Sequence, residues 1–306
     1  MDPRPVSPLK TALPAPWHDL LGVTKPRVVS LILFTALVGM LLATPGWPPF
    51  GLLCAATAGI GCAAASAAAF NHLLDRRIDA QMLRTRYRPL PQGHLLPWQV
   101  MSWAWLLAIV ALVILVFAVN GLTAVLTFVS LIGYGLVYTR FLKKITPQYI
   151  VIGGAAGAAP PVLGWAAMTD HLSAVSLSLF MIIFAWTPPH FWSLAIGRRS
   201  DYERAGIPML PVTHGERFTI LQIGLYTILL IAISYLPGLL GYGGWIYFAG
   251  VTVLNGAFLA GWVKLARAAQ PVPPALALFR YSIWYLSLLF ALLLVGHYVA
   301  KPWGSA

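Results

Sequence analysis

The chain contains a series of apolar runs that are too long and too closely spaced for a water-soluble fold. A helix needs about 20 apolar residues to cross the hydrocarbon core of a bilayer, and most of these runs approach or exceed that length. Since lipid offers no partner to a backbone N–H or C=O group, each run is predicted to form a helix. The sequence therefore predicts an all-α polytopic membrane protein with nine transmembrane helices. The predicted spans are 28–44, 51–74, 98–119, 121–138, 150–168, 172–195, 218–240, 244–263 and 279–300.

Composition excludes several other classes of protein. Charged residues make up only 9% of the chain, whereas a soluble domain carries about 25%. This excludes a water-soluble enzyme and a disordered protein. The two cysteines, Cys54 and Cys62, both lie in the second apolar run, so they predict neither a disulfide framework nor a zinc site. The runs are continuous rather than alternating, which distinguishes them from the strands of an outer-membrane barrel.

The positions of the basic residues predict the orientation in the membrane. Of the 20 Lys and Arg residues, all except Lys301 lie before the first span, in every second connection after it or, in the case of Arg280, at the start of the last span. The positive-inside rule places these segments in the cytoplasm, so we expect a cytoplasmic N-terminus and a C-terminus outside. The net charge of +12 is thereby explained, and nucleic acid is not an expected partner. The N-terminal segment lacks the features of a signal or transit peptide, which indicates the cytoplasmic (inner) membrane of a bacterium.

The connections are unequal on the two sides of the predicted bundle. We expect residues 1–24 to form a cytoplasmic N-terminal segment and residues 25–301 to form a single nine-helix domain. Two predicted cytoplasmic loops, 75–97 and 196–217, are long and hold five of the eight acidic residues. Long loops in compact domains are usually functional or disordered, so these loops are predicted to cap a site at the cytoplasmic end.

Three oxygen-bearing side chains form a ladder where the second span meets its loop. Asn71, Asp75 and Asp79 are four residues apart, and four residues advance only about 40° around a helix, so all three share one face. Acidic side chains at membrane depth are costly and usually functional. Mg²⁺ typically binds one or two carboxylates and completes its shell with water and phosphate. With the arginines that follow, the ladder predicts a magnesium and diphosphate site.

Three alternatives to a magnesium and diphosphate site are open. Local ion pairs with Arg76, Arg77 or Arg84 would make the ladder a helix-end salt-bridge cluster. Intramembrane acids also occur on the ion paths of transporters, although those sites usually lie near the bilayer midplane. A purely structural assembly subunit leaves the ladder unexplained.

Two local patterns predict features of individual spans. Pro188 and Pro189 predict irregular backbone near the cytoplasmic end of the sixth span, because neither residue can donate a helical hydrogen bond. The pattern Gly153-x-x-x-Gly157 predicts a close contact between two membrane helices.

Five blocks of sequence carry a resemblance to a known family. In chain order they are Asn71-x-x-x-Asp75-x-x-x-Asp79 running into Arg84-Thr85-Arg86-x-Arg88-Pro89-Leu90, Tyr138-Thr139 with Leu142-Lys143, Ile152 to Pro161, Trp186-Thr187-Pro188-Pro189-His190-Phe191-Trp192, and Asp201-Tyr202-x-x-Ala205-Gly206-Ile207-Pro208-Met209-Leu210-Pro211. On these blocks the chain resembles the UbiA superfamily of intramembrane prenyltransferases, and within it the branch that farnesylates protohaem. The ladder alone indicates the superfamily, while the blocks around His190 and Met209 indicate the branch.

The resemblance implies a fold and a reaction. The nine helices would surround a central cavity capped by the two long loops. Farnesyl diphosphate would ionise with the help of Mg²⁺, and the vinyl group of haem B would attack the allylic cation before water adds to give haem O. Haem B would be a substrate rather than a permanent cofactor, and terminal-oxidase assembly proteins or haem A synthase would be candidate partners. A quinone or chlorophyll precursor is the alternative acceptor, because the ladder alone does not indicate which molecule receives the prenyl group.

The resemblance also implies roles for individual residues. Catalysis is assigned to Asp75, Asp79 and Asp201, and metal binding to the same three with Asn71. The candidate diphosphate-binding residues are Arg84, Arg88, Lys143, Arg198, Tyr138 and Tyr202. His190 is the candidate haem-binding residue, either as a ligand of the iron or as a contact to a propionate, and its alternative is a hydrogen bond to backbone freed by the two prolines. Many superfamily members carry a second D-x-x-x-D ladder, for which this chain offers Asp201 alone, so the ligands of a second Mg²⁺ are left open.

Overall fold

The computed structural model describes residues 16–83, 85–135 and 146–299, and over these ranges every regular element is a helix. The elements are α1 (Trp17–Val23), α2 (Pro26–Leu42), α3 (Phe50–Asp79), α4 (Pro97–Ala118), α5 (Gly121–Ile132), α6 (Tyr149–Ala158), α7 (Pro160–Thr169), α8 (Ala174–Gly197), α9 (Arg199–Arg204), α10 (Leu210–Thr213), α11 (Gly215–Ser234), α12 (Leu236–Leu239), α13 (Gly244–Ala266) and α14 (Val272–Val299).

The helices correspond to the predicted spans, with two qualifications. Among the described residues, seven helices are long and apolar enough to cross a membrane, and an eighth is added if α1 and α2, bent by 54°, count as one span. The fourth predicted span corresponds to a shorter apolar helix, Gly121–Gly135, and its remaining residues lie outside the described ranges. The chain is therefore an all-α membrane protein.

Helix α8 lies at the centre of the fold. It packs against α6, α11 and α14, and its Leu179 and Trp192 are fully buried in the largest apolar core. Pro188 and Pro189 lie inside this helix without interrupting it, so the prediction of irregular backbone there is wrong. Packing by neighbouring helices stabilises the helical path through the two prolines, as it does in other membrane helices.

A close helix contact joins α2 to α7 and does not involve Gly157. A Cβ atom on Gly39 would lie 2.1 Å from the carbonyl oxygen of Pro161, and one on Gly164 would lie 2.0 Å from that of Ala36. The backbones of α2 and α7 therefore touch at Gly39 and again at Gly164. A Cβ atom on Gly157 would meet nothing within 4 Å, so the predicted close contact at this residue is wrong.

The two cap segments meet at one end of the bundle. Helix α3 extends through Asp79, and the second segment is partly helical, with α9 and α10. Met82 of the first segment shares a hydrophobic cluster with Tyr202, Ile207 and Met209 of the second. Helix α1, within the predicted N-terminal segment 1–24, packs on α3 and α4, and that domain limit stays a prediction. This packing encloses the end of α3 that carries the ladder.

Candidate active site

Helix α3 carries the whole ladder on its last three turns. Asn71, Asp75 and Asp79 are 6%, 4% and 4% exposed, so all three are buried. The side-chain amide of Asn71 donates a hydrogen bond of 3.0 Å to Oδ2 of Asp75. The expected shared face is therefore present, and it turns away from solvent.

Two cationic side chains from other segments bind the ladder. Nζ of Lys25 donates to Oδ1 of Asn71 at 2.6 Å, and the guanidinium of Arg88 donates to Oδ2 of Asp79 at 2.6 Å. Hydrogen bonds in which the donor or the acceptor is charged are about twice as strong as neutral ones. A buried carboxylate needs such partners, because desolvation of an unpaired charge is very costly.

The loop after α3 is fixed to the end of that helix. Thr85, 2% exposed, donates its hydroxyl to the carbonyl oxygen of Asp79 at 3.0 Å. Arg88, the partner of Asp79, lies nine residues further along the chain, while Arg76 donates to the carbonyl oxygen of Leu73. The salt bridge of Asp79 thus crosses the loop instead of joining adjacent residues of the helix end.

The donor chemistry of the ladder fits a hard divalent cation. Asn71, Asp75 and Asp79 supply amide and carboxylate oxygens, the atoms that Mg²⁺ prefers. The hydrogen bonds from Lys25 to Asn71 and from Arg88 to Asp79 show that oxygens of the ladder interact with positively charged groups. Within the described ranges, no three His, Cys, Asp or Glu side chains gather into a metal-binding group. Among these residues, Asp75, Asp79 and Asp201, which were predicted to bind metal with Asn71, are therefore not brought together as such a group.

The other predicted site residues differ in their exposure, and three of them lie outside the described ranges. Asp201 is 5% exposed in α9, 4.0 Å from a guanidinium nitrogen of Arg204. Tyr202 is buried in the cluster that joins the two cap segments. Arg198 is exposed at the C-terminal end of α8. Arg84, Tyr138 and Lys143 lie outside the described residues.

His190 is held between aromatic rings on α8. Its ring stacks on Trp186 with centroids 4.2 Å apart, and Phe279 of α14 lies 4.6 Å away on a tilted plane. Nδ1 of His190 is 2.7 Å from the hydroxyl oxygen of Ser282. The hydrogen bond expected as the alternative, to backbone freed by the prolines, is replaced by this side-chain contact.

Lys25, His72 and Tyr134 were not predicted as site residues. Lys25 adopts a left-handed backbone conformation with φ 53°, which is uncommon outside glycine and is concentrated at functional sites. His72 is 3% exposed, and neither ring nitrogen has a hydrogen-bond partner among the described residues. Tyr134 interacts electrostatically with Asp75. Two of them had a sequence signal: Lys25 is a basic residue before proline at the start of the first span, and His72 is the direct neighbour of Asn71.

A buried acidic ladder with two cations, at one end of an apolar helical bundle, is the arrangement of a membrane-embedded prenyltransferase. Residues 32–284 match the model of the UbiA prenyltransferase family, and the chain belongs to that family. The chain is 57% identical over 279 residues to protoheme IX farnesyltransferase of Alkalilimnicola ehrlichii, covering 91% of this chain and 92% of that protein. It is 54% identical to the protein of the same name from Idiomarina loihiensis, with 93% and 95% covered.

Solved structures show the same fold at low sequence identity. A digeranylgeranylglyceryl phosphate synthase matches with a TM-score of 0.78 at 16% identity, covering 92% of this chain and 98% of that one. A UbiA homologue from Archaeoglobus fulgidus, bound to DMAPP and Mg²⁺, matches with a TM-score of 0.60 at 14% identity, covering 90% and 99%. These structures and the family match confirm the predicted fold. The predicted enzyme class is confirmed by the family match and by the relatives above 50% identity, which exclude the transporter and structural-subunit alternatives.

Proposed function

We propose that this chain transfers a farnesyl group from farnesyl diphosphate to a vinyl group of haem B, with addition of water, giving haem O and diphosphate. The observation that carries the reaction type is the buried ladder bound by Lys25 and Arg88. The acceptor follows from relatives above 50% identity that bear the name protoheme IX farnesyltransferase.

The ladder and its cations act on the leaving group. Asn71, Asp75 and Asp79 would hold Mg²⁺, which supplies a positive charge that stabilises the diphosphate as the allylic C–O bond breaks. Lys25 and Arg88 donate from opposite ends of the ladder, and both can turn their N–H groups to phosphate oxygens. Asp201 is proposed as the acidic residue of the second cap segment, and Tyr202, Arg198, Arg84, Lys143 and Tyr138 stay candidates for contact with the diphosphate.

The apolar interior of the bundle is the proposed place where the farnesyl cation reacts with haem B. The terminal vinyl carbon of haem B forms a C–C bond to the farnesyl cation, and the adjacent carbon becomes positive. Water adds to that carbon and loses a proton, which leaves the hydroxyethylfarnesyl group. Excluding bulk water protects the farnesyl cation until the C–C bond has formed. His190 is the proposed haem-binding residue.

The proposed setting is the cytoplasmic membrane of a bacterium, with the N-terminus inside. Nineteen of the 20 basic residues on one predicted side support this orientation. Haem O must pass to proteins that use it, so terminal-oxidase assembly proteins and haem A synthase are the proposed partners.

The proposal is tested with the purified protein in lipid nanodiscs. Haem B and labelled farnesyl diphosphate are added with Mg²⁺, and products are separated by chromatography and weighed by mass spectrometry. We expect label in haem O and release of diphosphate, both abolished by EDTA and restored by Mg²⁺. Prenylation of a phenolic quinone precursor, with no labelled haem, would assign the chain a different acceptor.

The Lys25→Met variant is expected to bind farnesyl diphosphate more weakly. Methionine has a side chain of similar length without the ammonium group that donates to Asn71. The variant therefore loses the charge-assisted contact proposed between Lys25 and the diphosphate. Such a contact contributes about 1.5–3 kcal/mol, which corresponds to a fall of about 10- to 100-fold in kcat/KM for farnesyl diphosphate.

Lys264→Met is the matched control for this change. Lys264 is exposed near the end of α13, and its replacement should leave kcat/KM within twofold. Equal kinetics for the two variants would remove Lys25 from the diphosphate site.

A further inference from the structure

Three contacts immobilise the imidazole of His190. Trp186 covers one side of the ring and Phe279 lies against it from α14. Ser282, also on α14 and fully buried, places its hydroxyl 2.7 Å from Nδ1. The indole N–H of Trp186 donates to the carbonyl oxygen of Ser282 at 2.8 Å, which joins the stacking residue to the hydrogen-bonding residue. The ring thus has one defined plane and one defined direction.

The hydroxyl of Ser282 determines which ring nitrogen carries the proton. This oxygen is 2.7 Å from the carbonyl oxygen of Phe279, a distance at which two oxygens repel unless a hydrogen lies between them. The single hydroxyl proton therefore points to Phe279 and cannot also point to Nδ1. The 2.7 Å contact with His190 must then be made by an N–H on Nδ1.

The proton on Nδ1 leaves a lone pair on Nε2. No described residue forms a hydrogen bond with Nε2, and His190 is only partly buried. In metal sites, a histidine ligand almost always donates its second N–H to a fixed acceptor, which sets the tautomer and the ring orientation. The contacts of His190 have this form before any metal is present.

We propose that Ser282 is a positioning residue that fixes His190 in the Nδ1–H tautomer and so presents Nε2 as a ligand of the haem B iron. The inference rests on the proposed function and resolves the two roles open for His190. A propionate is itself a hydrogen-bond acceptor and would be repelled by the lone pair on Nε2, whereas ferric iron accepts that lone pair. The haem would accordingly be oriented through its iron.

The tautomer is measured first, without haem. Solid-state ¹⁵N NMR of histidine-labelled protein distinguishes a protonated from an unprotonated ring nitrogen. His190→Gln identifies its resonances by their disappearance. We expect Nδ1 protonated and Nε2 bare in the unmodified protein. The opposite tautomer, or an equal mixture of the two, overturns the positioning role whatever the substrate of the enzyme is.

The effect on haem is measured next with Ser282→Ala. Removing the hydrogen-bond partner of a metal-binding histidine typically weakens metal binding about 10- to 100-fold. We expect the Kd for ferric haem B, read from the Soret band, to rise by that factor, and the iron–nitrogen signature in EPR to weaken. The KM for farnesyl diphosphate should stay unchanged. In His190→Gly the signature should disappear and return on addition of imidazole, and Ser282→Thr, which keeps the hydroxyl, should restore haem binding.

Ser178→Ala is the matched control. Ser178 is also a buried helical serine that donates to the carbonyl three residues earlier, that of Val175, at 2.6 Å. It lies on α8 about 18 Å along the helix axis from His190, so it cannot contact the imidazole. Its haem Kd should stay within twofold of the unmodified protein. Unchanged haem spectra in both Ser282→Ala and His190→Gly, with haem O still formed, would overturn the ligand role while leaving the proposed function intact. Absence of haem O from the unmodified protein would instead contradict the proposed function.

Discussion

Asp75→Asn is expected to lower kcat for haem O formation by about 10²- to 10³-fold, the usual cost of losing one preorganised electrostatic group at a reacting centre. Asp75 is 4% exposed and accepts a hydrogen bond from Asn71 at 3.0 Å. An asparagine at this position has the same shape and can accept the same hydrogen bond with its amide oxygen. The fold should therefore be retained while one negative charge of the proposed Mg²⁺ site is lost.

The measurement is release of labelled diphosphate and formation of haem O at saturating Mg²⁺, with folding checked by gel filtration and melting temperature. Asp170→Asn is the control, because Asp170 is exposed and caps α7 in a left-handed conformation that asparagine also tolerates. Its activity should equal that of the unmodified enzyme. A rate for Asp75→Asn within threefold of the unmodified protein would remove this carboxylate from the catalytic site.

Gly164→Ala is expected to cause the largest loss of stability of any single methyl addition in the α2–α7 contact. The new Cβ atom would lie 2.0 Å from the carbonyl oxygen of Ala36, and backbone atoms cannot move aside as a flexible side chain can. Overpacking of this kind costs about 1–3 kcal/mol and occasionally more. We expect a lower melting temperature and reduced yield from the membrane.

Gly157→Ala is the matched control for this prediction. A Cβ atom there would meet nothing within 4 Å, and alanine favours a helix by about 1 kcal/mol over glycine. The melting temperature of Gly157→Ala should therefore stay the same or rise, measured by intrinsic tryptophan fluorescence in detergent. Equal melting temperatures for the two variants would contradict the close contact between α2 and α7.

The ladder could be predicted from sequence because it is local. Asn71, Asp75 and Asp79 belong to one helix, and helical geometry alone places them on one face. Lys25 could not be predicted as their partner, since it lies 46 residues from Asn71 and is brought there by the packing of α1 and α2. Sequence spacing within a helix transfers to space directly, whereas contacts between helices depend on how the whole bundle packs.

The two prolines of α8 and the glycines of α6 also show that the effect of packing between helices could not be predicted from sequence. Pro188 and Pro189 remove two donors from the helix ladder, yet α8 is continuous because neighbouring helices enclose it. The pattern ending at Gly157 resembled a contact motif, but a Cβ atom there would meet nothing within 4 Å. The close approach occurs instead where Gly39 faces Pro161 and Gly164 faces Ala36, residues on two different helices. Local propensity was overridden in both cases by tertiary packing.

The sequence by itself determined that this protein lies in the membrane as a bundle of helices, with acidic chemistry at the end that carries most of the positive charge. These features follow from transfer of apolar runs into lipid and from helical periodicity, which act within single segments. Only the tertiary structure decided that Lys25 and Arg88 hold the ladder, and that Ser282 on α14 holds His190 on α8. Those partners lie far apart in the chain, and the free energy that brings them together comes from packing over the whole bundle.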